Sequence, residues 1–123
     1  HGDYGPHNVL VVDERINAIL DWEFVKLGNP VEDLCFGRLA IEELASWNTF
    51  LSAYEAEGGI SADPEELRYY TIFSLYRLCA MMLRTDAIFR DSPLKQIRIA
   101  APTAERARPV LLKLAKLLGV ESV

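Results

Sequence analysis

Two short apolar runs near the start of the chain constrain its fold more than any other feature. Residues 9–12 and 16–20 are rich in β-branched side chains and are separated only by the polar residues Asp13, Glu14 and Arg15. This pattern predicts a β-hairpin. Both runs are almost continuously apolar, so we expect the hairpin to be covered on both faces. The rest of the chain has the patterns of about five helices, so the predicted fold is mainly α with a small β-hairpin.

Three polar residues mark predicted helix starts: Asn29, Ser46 and Asp63. Asn29 and Asp63 are each followed by a proline and, three residues on, by a glutamate, as in a capping box. The second helix is predicted to stop at the glycine pair 58–59. The third is predicted to run to about Phe89 and, being apolar almost all round, to be a central buried helix.

The last thirty residues have a weaker helical pattern. A short helix is predicted near residues 94–99, and a final amphipathic helix is predicted to end at Leu118, before Gly119. Pro109 either kinks that final helix or marks its start.

The charge of the 123 residues argues against some function classes. The net charge is −5, whereas a nucleic-acid-binding protein normally carries a basic patch. The acidic balance slightly favours a cationic substrate, although ordinary solubility explains the charge equally well. No stretch reaches the ~18 uninterrupted apolar residues of a membrane span, so neither nucleic acid nor membrane is an expected partner.

The two cysteines, Cys35 and Cys79, lie inside apolar helical patterns. They are predicted to be buried thiols, since neither belongs to a cluster with metal-ligand spacing. Unclustered cysteines fit a reducing compartment, and the predicted location is cytoplasmic.

The predicted hairpin brings two short polar side chains together at its open end. A two-residue turn at Glu14-Arg15, or a four-residue turn, places Asn8 directly opposite Asp21 and on the same face. A three-residue turn would instead place Leu20 opposite Asn8. Amide and carboxylate oxygens suit Mg²⁺, which completes its shell with water and substrate phosphates. The alternative is that Asn8 and Asp21 only cap the strand ends.

Asp3 favours the metal-site interpretation. It lies five residues before Asn8, in a loop that contains Gly2, Gly5 and Pro6. A loop aspartate beside a Mg²⁺–phosphate site can accept a proton from an attacking hydroxyl. One aspartate for the nucleophile and an Asn and Asp for the metal are the parts of a phosphoryl-transfer site, and protein kinases use the same His-x-Asp-x-x-x-x-Asn spacing in their catalytic loop.

The stretches HGDYGPHNVL, AILDWEF and GNPVEDL occur in this order within residues 1–36. Together they resemble the aminoglycoside phosphotransferase and choline kinase-like family. The resemblance implies that Asp3 is the catalytic base and that Asn8 and Asp21 bind Mg²⁺ and, through it, the phosphates of ATP or GTP. It also implies a small-molecule hydroxyl as the acceptor.

The same resemblance implies structural roles for two other residues. The family's histidine packs under the catalytic loop, here His1, and an aspartate of the following helix, here Asp33, hydrogen-bonds that loop. Glu23 is a candidate substrate contact, with an exposed loop carboxylate as the equal alternative. Many members carry His-Pro-Gly where this chain has Gly5-Pro6-His7, so His7 receives no family role. It is expected to be an exposed loop residue, with a contact to substrate or phosphate as the lesser alternative.

The chain lacks the nucleotide-binding parts of such an enzyme. It has no G-x-G pattern, and every lysine lies downstream of the catalytic loop. Residues 1–123 are therefore expected to be part of a C-terminal lobe, with the catalytic loop and metal-binding hairpin in 1–27 and a helical region in 29–119. The missing N-terminal lobe would precede His1, and the isolated chain is expected to be inactive.

Two alternatives remain from sequence. The chain could be a non-catalytic helical module that binds a partner or dimerises through exposed core. A metal site of His1, Asp3 and His7 is a weaker option, because the spacing does not favour zinc. The acceptor is not specified, since the resembled family covers aminoglycosides, choline, ethanolamine, methylthioribose, homoserine, fructosamines and macrolides.

Overall fold

The computed structural model describes residues 1–91 and 97–120. Its helices and hairpin confirm the predicted mainly α fold with a small β-hairpin. Short 3-10 turns stand before and after the hairpin, at Pro6–Asn8 and Trp22–Phe24. The longer elements, in chain order, are β1 (Val9–Val12), β2 (Arg15–Ile19), α1 (Pro30–Glu42), α2 (Trp47–Ala56), α3 (Pro64–Asp91) and α4 (Ile97–Leu117).

The chain divides into two compact units, His1–Thr71 and Ile72–Val123. The first contains the hairpin, α1, α2 and the beginning of α3. All the residues that the sequence marks as candidates for chemistry lie in this first unit. The second contains the remainder of α3 and α4.

The hairpin forms, but its predicted register is wrong. Val12 pairs with Arg15, so the two-residue turn is Asp13-Glu14 and not Glu14-Arg15. Both turn residues have positive φ (48° and 60°), as a type I′ turn requires. The pairing then shifts by one between Leu10 and Val11, because Asn17 is an extra, bulged residue in β2.

The expectation that the hairpin is covered on both faces is also wrong. Val9 and Ile19 are half-buried, but five large apolar side chains are between 43% and 63% exposed: Leu10, Val11, Val12, Ile16 and Leu20. Alternating or continuous apolar residues show only that a strand can be buried, and the described residues supply no second layer over this sheet. The hairpin therefore presents an open apolar surface.

The start of α1 is the one predicted from Asn29. The Asn29 side chain accepts a hydrogen bond from the backbone N–H of Val31 at 2.9 Å, so it caps the helix. Its Nδ2 donates to Glu66 Oε1 at 2.9 Å and ties α1 to the first turn of α3. The buried apolar side chains of α1 form the core of the first unit: Val31, Leu34, Cys35, Phe36 and Ile41.

Both cysteines are free thiols, and the prediction that both are buried is confirmed for Cys35 and wrong for Cys79. Cys35 is buried and Cys79 half-buried. Cys35 Sγ donates to the Leu67 carbonyl oxygen and accepts from Thr71 Oγ1, each at 3.6 Å. Burial raises the pKa of the Cys35 thiol, more than the hydrogen bond from Thr71 and the Arg38 charge lower it.

The starts of α2 and α3 are also those predicted. Ser46 Oγ accepts from the backbone N–H of Thr49 at 3.2 Å, and Asp63 Oδ1 accepts from that of Glu65 at 2.8 Å. The chain leaves α2 through Gly58, whose φ of +90° is left-handed. The described part of α3 reaches Asp91, two residues past the predicted end at Phe89.

The prediction that α3 is buried all round is wrong. Ser74 and Leu75 are buried, but Tyr76 is 63% and Leu83 72% exposed. A helix is enclosed on all sides only where other elements surround it, and in the described residues one face of α3 is enclosed. None of the described helices is long and apolar enough to cross a membrane.

Helix α4 is longer than predicted. The predicted helix at 94–99 begins outside the described residues, and from Ile97 the chain already belongs to α4. Pro109 therefore lies within the helix and does not start it. The end is one residue before the predicted Leu118: Gly119 has φ +70°, and the Val120 N–H donates to the Ala115 carbonyl oxygen at 2.9 Å, as in a Schellman cap.

Candidate functional site

The N-terminal loop is fixed to the first turns of α1 by Asp33. Asp33 Oδ1 accepts from the backbone N–H of Gly2 at 2.8 Å, and its Oδ2 accepts from the backbone nitrogen of His1 at 2.9 Å. Hydrogen bonds to an ionised acceptor are stronger than neutral ones. The Asn29 cap sets where α1 begins, and Asp33 of that helix holds the loop. The position of the loop therefore follows from the position of α1.

His1 links this loop to the end of β2. Its Nδ1 accepts from the Asp3 backbone N–H at 3.3 Å, and its Nε2 lies 2.9 Å from the Leu20 carbonyl oxygen. A backbone N–H only donates and a carbonyl only accepts, so both contacts are satisfied by the neutral tautomer with the proton on Nε2. The imidazole also contacts the Trp22 ring, with centroids 4.6 Å apart.

Loop and helix lie very close together at Gly37. A Cβ built on Gly37 would lie 2.6 Å from the carbonyl oxygen of Tyr4, the residue after Asp3. No side chain larger than hydrogen fits between α1 and this part of the loop. The sequence pattern gave no signal for this contact, because it joins residues 33 positions apart.

Asn8 and Asp3 lie in contact. Asn8 is buried, and its Nδ2 donates to the Asp3 carbonyl oxygen at 2.9 Å and lies 3.4 Å from Asp3 Oδ2. Since the amide nitrogen is committed to Asp3, Asn8 Oδ1 is left without a hydrogen-bond partner among the described residues. That oxygen is the atom with which Asn8 could bind a cation.

Asp21 does not lie directly opposite Asn8. The Leu20 N–H donates to the Asn8 carbonyl oxygen at 2.8 Å, so Leu20 is the cross-strand partner and Asp21 follows it. Asp21 is exposed and left-handed (φ 62°, ψ 60°), which ends the strand alternation at this point. Within the described residues its carboxylate has no hydrogen-bond partner.

Two further residues of this region have different surroundings. Glu23 lies exposed in the 3-10 turn after Asp21. His7, to which the sequence assigned no role, is exposed as expected, but its Nε2 lies 3.5 Å from Asp3 Oδ2. The sequence feature that could have predicted this contact is the Gly5-Pro6 pair before His7, which allows the chain to turn back towards Asp3.

The donor set indicates which metal the site suits. Residues 1–91 and 97–120 contain no group of three or more His, Cys, Asp or Glu side chains that could hold a metal ion. Asn8 Oδ1 and the Asp21 carboxylate are hard oxygen donors with no hydrogen-bond partner in residues 1–91 and 97–120. One or two such ligands, completed by water and phosphate oxygens, are typical of Mg²⁺, so the residues fit that ion better than zinc.

One comparison with known proteins gives a match. The model of a family described as APH, phosphotransferase enzyme family, matches residues 1–70. No curated protein and no solved structure matches the chain significantly. The match ends one residue before the boundary of the first compact unit, so sequence similarity and packing delimit the same part of the chain.

Proposed function

The chain belongs to the phosphotransferase enzyme family, and from this we propose that its full-length parent transfers the γ-phosphoryl group of ATP or GTP to a hydroxyl of a small molecule. The family membership confirms the resemblance seen in the three motifs. The donor nucleotide, the magnesium ion and the acceptor are the parts that we propose.

The observation that carries the proposal is the arrangement of the Asp3 carboxylate. Its Oδ2 faces the side-chain nitrogens of Asn8 and His7, and no hydrogen bond within the described residues reaches its Oδ1. The side chain is 28% exposed, so Oδ1 can meet a substrate. A carboxylate held at one oxygen and open at the other is suited to accept a proton.

In the proposed reaction the acceptor oxygen attacks the γ-phosphorus. Its O–H bond breaks as the new P–O bond forms, and the proton passes to Asp3 Oδ1. The bond from the γ-phosphorus to the bridging oxygen breaks, and ADP (or GDP) leaves with that electron pair. Asp3 contributes mainly orientation of the hydroxyl, since phosphoryl transfer depends on positioning and charge stabilisation.

Asn8 and Asp21 are proposed to hold Mg²⁺ through Asn8 Oδ1 and the Asp21 carboxylate. When bound, the ion would neutralise charge on the nucleotide phosphates. His1 and Asp33 keep the catalytic loop in place through the contacts to Leu20, Gly2 and the His1 backbone. Glu23, exposed beside Asp21, remains a proposed contact for the acceptor.

The test compares two variants of the full-length parent with a matched control. Asp3→Asn should remove most phosphoryl transfer while leaving nucleotide binding nearly intact. Asp21→Ala should weaken nucleotide binding in the presence of Mg²⁺ and not in EDTA. Asp13→Asn is the control, because Asp13 is another exposed, left-handed aspartate of the hairpin and should change neither measurement.

The acceptor can be identified with a panel. Transfer from radiolabelled ATP to an aminoglycoside, choline, ethanolamine, homoserine and methylthioribose distinguishes cationic from neutral acceptors, and the net charge of −5 slightly favours the cationic ones. The isolated chain of 123 residues should show no turnover. Measurable turnover by this chain alone would contradict its proposed dependence on a separate nucleotide-binding lobe. Neither nucleic acid nor membrane is a proposed partner, and the cytoplasmic location also stays a prediction.

A second candidate is a non-catalytic binding or dimerisation module. The exposed apolar side chains of the hairpin favour it, since large bare apolar patches favour association. Nucleotide affinity separates the two candidates. The phosphotransferase requires an affinity that rises with Mg²⁺, whereas the module requires no nucleotide binding.

A further inference from the structure

The imidazole of His7 lies beside the carboxylate that is proposed as the base. His7 Nε2 is 3.5 Å from Asp3 Oδ2, the long limit of a hydrogen bond. Contacts of this kind are often long before substrate binds and shorten in the reacting complex. The same oxygen lies 3.4 Å from Asn8 Nδ2, so two nitrogen donors approach one carboxylate oxygen from two side chains.

The position of the His7 ring is set by the neighbouring backbone of residues 5–8 and not by packing in the core. A Cβ on Gly5 would lie 2.7 Å from His7 Cε1 and 2.9 Å from His7 Nδ1, so the ring occupies the space that any other side chain at position 5 would take. The Asn8 N–H donates to the Gly5 carbonyl oxygen at 3.0 Å and closes the turn around Pro6. His7 is 59% exposed, so its ring is not needed to fill the core.

We propose that His7 is a positioning residue for Asp3: Nε2–H donates to Oδ2 and holds the carboxylate so that Oδ1 faces the acceptor hydroxyl. This proposal rests on the proposed function. The terminal torsion of an aspartate is broad and nearly two-fold, and the single long contact from Asn8 leaves it weakly restrained. A second donor on the same oxygen narrows the range of orientations, which favours the geometry of proton transfer.

The prediction concerns kcat and not nucleotide affinity. In the full-length parent, with radiolabelled ATP and the acceptor panel above, His7→Leu removes the donor at similar size. It should lower kcat about tenfold, below the ~100-fold that a 1 Å misplacement can cost, and leave the KM for ATP unchanged. His7→Gln, whose side-chain amide can still donate, should recover most of the rate.

Gly5→Ala tests the same contact without changing His7. The added methyl group would displace the ring, so this variant should lose about as much kcat as His7→Leu, and the double variant should lose no more than either. The Asp3→Asn background is the second control, because a residue that acts through Asp3 has no further effect once Asp3 is disabled. Circular dichroism of each variant verifies folding.

The outcomes separate this inference from the proposed function. If Asp3→Asn removes most of the transfer and His7→Leu keeps the full kcat, the positioning role is wrong and the phosphotransferase assignment stands. An equal loss from His7→Leu with and without Asp3→Asn, or no recovery with His7→Gln, also overturns the role. Full turnover by Asp3→Asn overturns the proposed function itself.

Discussion

Substituting Gly37 by alanine tests how closely the catalytic loop contacts α1. The new Cβ would lie 2.6 Å from the Tyr4 carbonyl oxygen, and ordinary contact begins at 3.4 Å, so loop or helix must move by about 0.8 Å, the difference between these distances. Alanine gains about 1 kcal/mol of helix propensity over glycine. Overpacking costs about 1–3 kcal/mol. Because the contacted atom belongs to the backbone and Asp33 ties the loop to the helix, we expect the upper part of that range and a net loss of about 1–2 kcal/mol.

Urea unfolding followed by tryptophan fluorescence measures this change. The matched control is Gly28→Ala, since Gly28 has no heavy atom within 4 Å of its built Cβ and is not left-handed. That control should leave the free energy of unfolding unchanged or raise it by up to about 1 kcal/mol. If Gly37→Ala stabilised the protein as the control does, the gain in helix propensity would not have been offset by a steric clash with the Tyr4 carbonyl oxygen. The close approach of Tyr4 to α1 would then be refuted.

Three further predictions concern Asn29 and Asp33, whose contacts fix the site, and the buried thiol of Cys35. Asn29→Ala should cost about 2 kcal/mol, through loss of the helix cap and of the bond to Glu66. Asn29→Ser keeps the cap and should cost about 1 kcal/mol in urea unfolding. Equal losses in the two variants would show that the cap contributes nothing, and no loss in Asn29→Ser would show the same of the bond to Glu66. Asp33→Ala should lower the free energy of unfolding by about 2 kcal/mol, because it removes a charged acceptor of loop hydrogen bonds. Asp33→Asn should cost about half of that. An unchanged free energy of unfolding in Asp33→Ala would contradict the anchoring role. Burial raises the pKa of the Cys35 thiol, so the folded chain keeps this proton after the unfolded chain has lost it. The free energy of unfolding should therefore be constant below the ordinary thiol pKa and fall as the pH rises through the raised value, and a fall just as large in Cys35→Ala would refute that cause.

The helix starts could be predicted from sequence because each depends on a few neighbouring residues. Asn29, Ser46 and Asp63 each cap a helix through a backbone N–H two or three residues away, and that contact is written into the local sequence. Burial could not be predicted in the same way. The apolar pattern of α3 shows what the helix could bury, whereas its packing depends on which elements surround it.

The hairpin register could not be predicted because two local choices combine. The turn falls at Asp13-Glu14, one residue earlier than expected, and the Asn17 bulge then moves the pairing by one. An alternating apolar and polar pattern would mark the register, because a shift of one residue moves every side chain to the other face. Residues 9–12 and 16–20 are almost continuously apolar, so here such a shift changes every cross-strand partner without a visible change in the pattern. The predicted direct pairing of Asn8 with Asp21 failed for this reason.

The register error affects only one half of the proposed site. The contact between Asn8 and Asp3 joins residues five positions apart, within a loop tied to α1, and does not depend on the hairpin pairing. Asp21 follows β2, so the magnesium proposal depends on its local conformation.

A left-handed aspartate costs about 1 kcal/mol or more. At Asp13 the type I′ turn explains that cost, but Asp21 lies outside any hairpin turn and its side chain makes no hydrogen bond in the described part of the chain. The fold therefore keeps Asp21 in a strained backbone conformation although its carboxylate makes no hydrogen bond in the described residues. Such strain is expected where the carboxylate binds a ligand from outside the chain.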